Sequence, residues 1–408
     1  MALTRAQKLV VASTTLDMVL EGVFITLPSI SAAWPFVGQW AVPLILMTVP
    51  VGTLIGNLVL GRLADILGRK PMYLAMLAVY AAGAALVVAS RNAYELVAGN
   101  LVANAAIGGE TPLVLSYVAE TAPEGLRERL VVLVTNAGNV GAALAAAIAA
   151  AEGTLSVGAE RLALGALIAA AIGVLAFTRS MVPESALWAS LPREQRGRLE
   201  ASSRPVALRL AVLAGMAVSS VLTFGLLALD IGPALYPSLT NELLLAYFAG
   251  EVAGGLIAAA LVTRLGSRAF ALWSFAGGLA TTLAAMPVVA YGLGTPAFLA
   301  VLAANAVFTE TVWASRNVLE AALFPTSARA TGIALVRVAP YAIWAAILVP
   351  EMSFGALEYL AFAAAMWAVG VAASGAWYVK GVEVVGSRLP MVPEDLLGGR
   401  VREQARRR

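Results

Sequence analysis

The stretch Gly61-Arg62-Leu63-Ala64-Asp65-Ile66-Leu67-Gly68-Arg69-Lys70 sets a cluster of charges and two glycines between two long apolar runs. A chain that must turn back into an apolar phase needs a short polar connection of this kind, and glycine allows the tight backbone. Outward from it, the runs on either side are each about twenty residues, the helical length that crosses a hydrocarbon core of about 30 Å. The composition agrees: 60% hydrophobic and 12% charged residues, with mean hydropathy +0.85, leave too little polar surface for a soluble protein of 408 residues. Twelve spans are predicted, near 9–30, 40–60, 71–90, 95–119, 129–150, 161–180, 207–229, 241–262, 269–290, 296–320, 331–350 and 357–379. The first is too long, and too interrupted by Asp17 and Glu21, for a cleaved signal peptide.

Charge sets the expected orientation. With a cytoplasmic N-terminus, only Arg91 and Arg161 of the 27 Lys and Arg fall in outer loops, and only Arg316 and Arg337 within spans. The rest lie inside, as positive charge does in membrane proteins, so both termini are expected in the cytoplasm. The basic tail ending Arg406-Arg407-Arg408 reads as a topology signal and a contact for anionic lipid, with no nucleic acid needed. There is no cysteine to form a disulfide and no histidine to carry a proton near neutrality or bind a metal. Proton coupling would therefore run on carboxylates.

The chain repeats itself. A shift of 198 residues lays Leu63, Leu67 and Gly68 over Leu261, Leu265 and Gly266, and Gly52 and Gly56 over Gly250 and Gly254. A shift of 200 lays Glu110, Thr111 and Glu120 over Glu310, Thr311 and Glu320. The expected fold is an all-α membrane protein, two parallel six-helix repeats around a central cavity, an architecture known among transporters. The expected divisions are a first bundle at 1–190, a linker at 191–206, a second bundle at 207–380 and a basic tail at 381–408.

These residues carry a family resemblance. Gly61 to Lys70 resembles the loop of the major facilitator superfamily, Gly-x-Leu-Ala-Asp-x-x-Gly-Arg-Lys, in its expected place between the second and third spans. Glu120-x-Ala122-Pro123 through Arg127 is similar to a segment after the fourth span of sugar porters and organic-ion transporters. Pro183-Glu184-Ser185-Ala186-Leu187-Trp188 resembles their Pro-Glu-Ser-Pro-Arg-Trp, with Ala186 and Leu187 where the family has Pro and Arg. Glu320, Pro325 and Arg329 repeat the pattern in the second half. The resemblance implies that Gly61, Asp65, Gly68, Arg69 and Lys70 form a cytoplasmic clasp between halves. Glu120, Arg127, Arg129 and Glu184, with Glu320 and Arg329, are candidates for matching ion pairs there. A plain topological role would explain Arg69 and Lys70 but not Asp65. Thr263 and Ser267 replace Asp65 and Arg69 in the repeat, so the clasp is expected to be lopsided. The Gly-x-x-x-Gly pairs at 52–56 and 250–254 suit either ordinary packing or, as the family implies, the contact between halves.

Ionised groups in lipid cost at least about 2.5 to 3.5 kcal/mol, so those inside spans normally face a cavity. Candidates for solute and proton binding are Asp17, Glu21, Glu110, Asp230, Glu251, Glu310 and Arg337, while spans three, six and nine carry no charge in their middles. Asp17 and Glu21 are four apart and share a helix face. With Glu110 they are expected either to exchange protons or to stay protonated as helix glue. Sugar porters place an Arg where Asn100 stands, and Asn100 cannot partner Asp17 in the same way. Arg337, Tyr341 and Trp344 share a face and suit an organic acid, unless Arg337 only neutralises Glu310 or Glu251. Glu310 with Trp313 suits a cation or a sugar hydroxyl, and Asn136 and Asn139 read hydroxyls or glue helices.

The expected function is secondary transport of a small organic solute by alternating access with proton symport, by a monomer in the cytoplasmic membrane. Sugars or polyols and organic or aromatic acids are equally suited as cargo, with organic cations behind. Proton-driven efflux and a non-transporting sensor remain alternatives. No cofactor or metal is expected, and an enzyme finds no His, Cys or metal motif. A primary pump finds no P-loop, since Lys8, Lys70 and Lys380 are followed by neither Ser nor Thr.

Overall fold

The computed structural model describes residues 3–151, 156–199 and 204–391. Part of the expected linker, 200–203, and most of the expected basic tail, 392–408, lie outside the described residues. Twelve helices among the described residues are long and apolar enough to cross a membrane. They are α1 (Arg5–Ser31), α2 (Val42–Leu67), α3 (Arg69–Ala89), α4 (Ala93–Thr121), α5 (Arg127–Ala150), α6 (Val157–Met181), α7 (Ala207–Leu235), α8 (Thr240–Leu265), α9 (Ser267–Ala290), α10 (Thr295–Leu323), α11 (Arg329–Glu351) and α12 (Ala356–Lys380). Each satisfies its own backbone polar groups, as hydrocarbon requires. The chain is a multi-pass integral membrane protein.

Helix starts follow local chemistry. Thr4 and Gln7 form a capping box on α1, Asn92 accepts the Glu95 N–H at 3.0 Å, and Ser156 accepts the Ala159 N–H at 3.3 Å. In α7 the α-helix gives way to a π-helical turn at Gly225–Asp230. Its displaced carbonyls are used elsewhere, Leu226 by the Tyr359 hydroxyl and Leu229 by the Ser29 hydroxyl, both at 2.9 Å.

Each half packs around its fourth helix or that helix's counterpart. α4 lies against α2 and α3, and α10 against α8 and α9. The outer helices face the surroundings: α6 turns Leu162, Val174 and Phe177 outward, which suits lipid. Between halves the principal contacts are α2 with α11 and α5 with α8.

The glycines are used differently from the sequence expectation. Gly61 is no turn residue but part of α2, where an added Cβ would lie 2.6 Å from the Ala334 Cβ of α11. Gly68 alone makes the turn, with φ +113°, and an added Cβ would lie 3.1 Å from the Trp188 ring. The Gly52/Gly56 pair packs α2 on α4, and Gly250/Gly254 packs α8 on α10. Both pairs therefore serve packing within a half, the first of the two readings, although α2 and α8 themselves do lie at the contact between halves. Gly61 against Ala334 and Gly255 against Asn136 occupy that contact.

Candidate functional site

A cavity of about 90 Å³ lies at the centre, lined from both halves. The first half contributes Glu21, Thr111 and Asn139, and the second Glu251, Glu310, Trp313, Asn317, Arg337 and Tyr341. Phe224 and Phe248 supply apolar wall. Apolar lining with a few fixed polar groups is the ordinary make-up of a small-molecule site.

Asp17 and Glu21 divide their tasks. Glu21 lines the cavity and accepts from the Thr111 hydroxyl at 3.2 Å. Asp17 is fully buried inside the first half, where Arg179 of α6 donates to both Asp17 and Glu110. The same guanidinium lies 4.0 Å from the Tyr73 ring centroid and donates to the Tyr73 carbonyl. Asp17 Oδ2 and Glu110 Oε2 have no hydrogen-bond partner. The middle of α6 carries no charge, as expected, but Arg179 in its last turn, counted among the cytoplasmic charges, is embedded in a buried triad. Asn100 does not stand opposite Asp17: its amide points to the Ser31 hydroxyl at 3.4 Å, nearly four turns along α1.

In the second half Glu320 holds two arginines, Arg316 at 2.6 Å and Arg337 at 3.1 Å, all three buried. Glu320 therefore sits beside the cavity and does not pair with Arg329. Arg337 also donates to Asn317 at 3.1 Å. Trp313 lies between the guanidiniums, 4.1 Å from Arg316 and 5.6 Å from Arg337. Arg337 is neutralised by Glu320, in place of the expected Glu310 or Glu251. Glu310 instead accepts from Asn139 at 2.8 Å; Asn139 in turn donates to Asn136 at 3.0 Å, and Asn136 to the Val252 carbonyl at 3.2 Å.

Of the expected aromatic face, Tyr341 lines the cavity but Trp344 points elsewhere. Its indole N–H donates to Asp230 at 2.8 Å. Asp230 is buried near the far end of the bundle, away from the cavity lining, beside Glu351 of α11.

At the end that carries Gly68, a second network crosses between halves. Asp65 accepts from the Ala330 N–H at 3.3 Å and from the Thr331 N–H and hydroxyl, each at 2.7 Å, so a carboxylate of α2 caps the first turn of α11. Arg69 pairs with Asp65 at 2.6 Å and Glu120 at 2.7 Å, and donates to the Thr326 carbonyl at 3.0 Å. Arg329 reaches Glu120 at 2.6 Å from the second half. Lys70 donates to the Ser180 carbonyl at 2.9 Å, and Arg127 to the Ser387 carbonyl at 2.8 Å. Arg129 meets Thr263 at 3.4 Å, where the repeat lacks its aspartate.

The Pro-Glu-Ser segment acts within its own half. Glu184 accepts the Arg69 and Lys70 N–H groups at 3.0 and 3.2 Å and so caps α3. Glu383, which carried no motif, does the same for α9, accepting the Ser267 and Arg268 N–H groups at 2.7 and 3.4 Å. Partial burial raises the Glu383 pKa, but the donors from Ser267, Val385 and Arg268 outweigh it and hold the group below its ordinary 4.5. Beyond it, residues 386–391 touch both halves. Gly386 donates to Glu128 at 3.0 Å, while Thr326 and Ser327 donate to the Pro390 and Met391 carbonyls at 2.9 and 3.0 Å.

Comparison with known proteins gives this arrangement its context. Residues 39–208 match the family described as "Sugar (and other) transporter". Over 81 residues the chain is 35% identical to Myo-inositol transporter 2 of Cryptococcus neoformans, covering 20% of this chain and 15% of that protein. Over 75 residues it is 39% identical to the human Proton myo-inositol cotransporter, covering 18% of this chain and 12% of that one. The matched stretches thus span well under a fifth of either relative. The proton:xylose symporter XylE superposes with a TM-score of 0.74 over 96% of this chain and 98% of that one, at 14% identity. Residues 39–208 are thus similar to the sugar-transporter family, and the chain along nearly its whole length shares the fold of the proton:xylose symporter XylE.

Proposed function

We propose that the chain is a secondary transporter that carries a sugar or polyol of monosaccharide size across the cytoplasmic membrane by alternating access, coupled to proton symport. The observation that carries this reading is the central cavity, walled by both halves and separated from the Gly68 end by side-chain bonds that cross between them. Such bonds break and reform without disturbing either half. The moving bodies are taken as 1–190 and 207–380, joined by 191–206, with both termini cytoplasmic and the chain working as a monomer.

A sugar suits the wall better than an organic acid. Arg337, the group an acid would need, is engaged by Glu320 and Asn317, while the free indole N–H of Trp313 and the free oxygens of Glu251 and Glu310 suit hydroxyls. Asp17, with Glu110 and Arg179, supports the proton role. A carboxylate whose single arginine is shared with a second carboxylate has a reason to take up a proton when that arginine shifts. The test is uptake into proteoliposomes of hexoses, pentoses and inositol, with and without an imposed pH gradient. Saturable uptake driven by an inward proton gradient, and no gradient-driven accumulation in Asp17→Asn, is expected. Binding without any uptake would make the chain a sensor and overturn the proposal.

A further inference from the structure

The cavity is acidic beyond what a neutral sugar requires. Three carboxyl groups on its wall, Glu21, Glu251 and Glu310, face one guanidinium, Arg337. That guanidinium is already bound to Glu320 at 3.1 Å. No Lys or Arg nitrogen lies within 4.0 Å of Glu251 or Glu310 among the described residues. Glu251 is fully buried on the cavity wall with neither carboxyl oxygen hydrogen-bonded, and Glu310 has one oxygen free beside it. Two neighbouring carboxylates without a counter-charge in a low dielectric either hold protons or are matched by something positive in the cavity.

We propose that Glu251 and Glu310 form a seat for a protonated amine, so that the preferred cargo is a polyhydroxylated amine such as an amino sugar. This rests on the transport reading above and narrows its substrate class. A bare metal ion fits the wall poorly. Hard cations want six or more oxygens, whereas this cavity is walled in part by Phe224, Phe248 and Trp313. The Trp313 ring faces two guanidiniums already, which leaves the carboxylates as the seat for the cargo's charge. Asn139, whose own orientation is fixed by Asn136, holds Glu310 in place and leaves its other oxygen free for the ligand. A hydroxylated ring attached to the amine then finds the indole N–H and Thr111 within the same small volume.

The test compares matched cargoes on the full chain in proteoliposomes at a pH that keeps the amine charged: glucosamine against glucose and N-acetylglucosamine, and an aminodeoxyinositol against myo-inositol. N-acetylation keeps the ring and removes the charge. At least a tenfold preference for each amine over its neutral partner is expected, and Glu251→Gln and Glu310→Gln should each lower that ratio tenfold. Equal or better uptake of the neutral sugars by the unaltered chain overturns the amine seat while leaving sugar transport standing. A preference that survives both substitutions also overturns it, and no uptake of any cargo overturns the transport reading with it. The comparison on the unaltered chain decides the matter even if a variant fails to fold.

Discussion

Asp65 and Thr331, from opposite halves of the molecule, are joined by two hydrogen bonds of 2.7 Å, one to the backbone N–H and one to the hydroxyl of Thr331. Bonds to a charged group contribute about 1.5–3 kcal/mol each, so Asp65→Asn should favour the form open at the Gly68 end by roughly ten- to a hundredfold. The chain has no cysteine, so Thr135→Cys on the cavity wall gives a clean label for that form. Faster labelling from the Gly68 end in the Asp65→Asn background is expected; an unchanged rate would show that the cap does not hold the halves.

Arg179 is the sole base joined to Asp17 and Glu110 among the described residues. Removing one partner of a buried ionic group costs about 3–5 kcal/mol, because the remaining charges lose their compensation. Arg179→Met should lower the unfolding temperature in detergent markedly, and adding Asp17→Asn and Glu110→Gln should restore most of the loss. Arg179→Met melting with the unaltered chain would mean that the acids are already neutral.

Gly61 leaves room for Ala334, and an added Cβ would come within 2.6 Å of that methyl. Overpacking of this kind costs about 1–3 kcal/mol, here only in the conformer closed at the Gly68 end. Gly61→Ala should slow uptake several-fold, and Ala334→Gly in the same chain should recover it. Failure of the paired change to recover uptake would place the defect within α2 itself.

The Glu383 carboxylate lies below its ordinary pKa because capping donors from Ser267 and its neighbours outweigh burial. A depressed carboxylate stabilises the folded state above its unfolded value, and that contribution is lost as pH falls through the folded value. Glu383→Gln should therefore destabilise the protein at pH 7, with the difference from the unaltered chain shrinking below about pH 4.5. Thermal unfolding at several pH values measures it, and a difference that does not vary with pH would assign the effect to packing.

The twelve spans and the Asp65 to Lys70 charges were legible because hydrophobic length and turn chemistry are local properties. Arg179 was not, since an arginine in the last turn of an apolar run looks like a loop charge, and only α1 and α4 packed around it reveal its partners. Glu383 escaped for a different reason. The motif that marks Glu184 carries Pro and Ser beside it, whereas Val382 and Val384 flank Glu383, yet the two glutamates cap α3 and α9 alike. Periodicity pointed Arg337 and Trp344 to one face, but the two helical turns between them separate the cavity wall from the Asp230 contact. The glycine pairs were visible as close-packing devices; which neighbour they met was a tertiary fact.

The segment 386–391 is fastened on one side to Arg127 and Glu128, and on the other to Thr326 and Ser327. A body tied at two points to neighbours that must separate acts as a latch, because its bonds on one side hold together or release together. Opening at this end should then have a threshold. Single-molecule records of the halves would display two long-lived distances with abrupt exchange, in place of a continuum of partial openings.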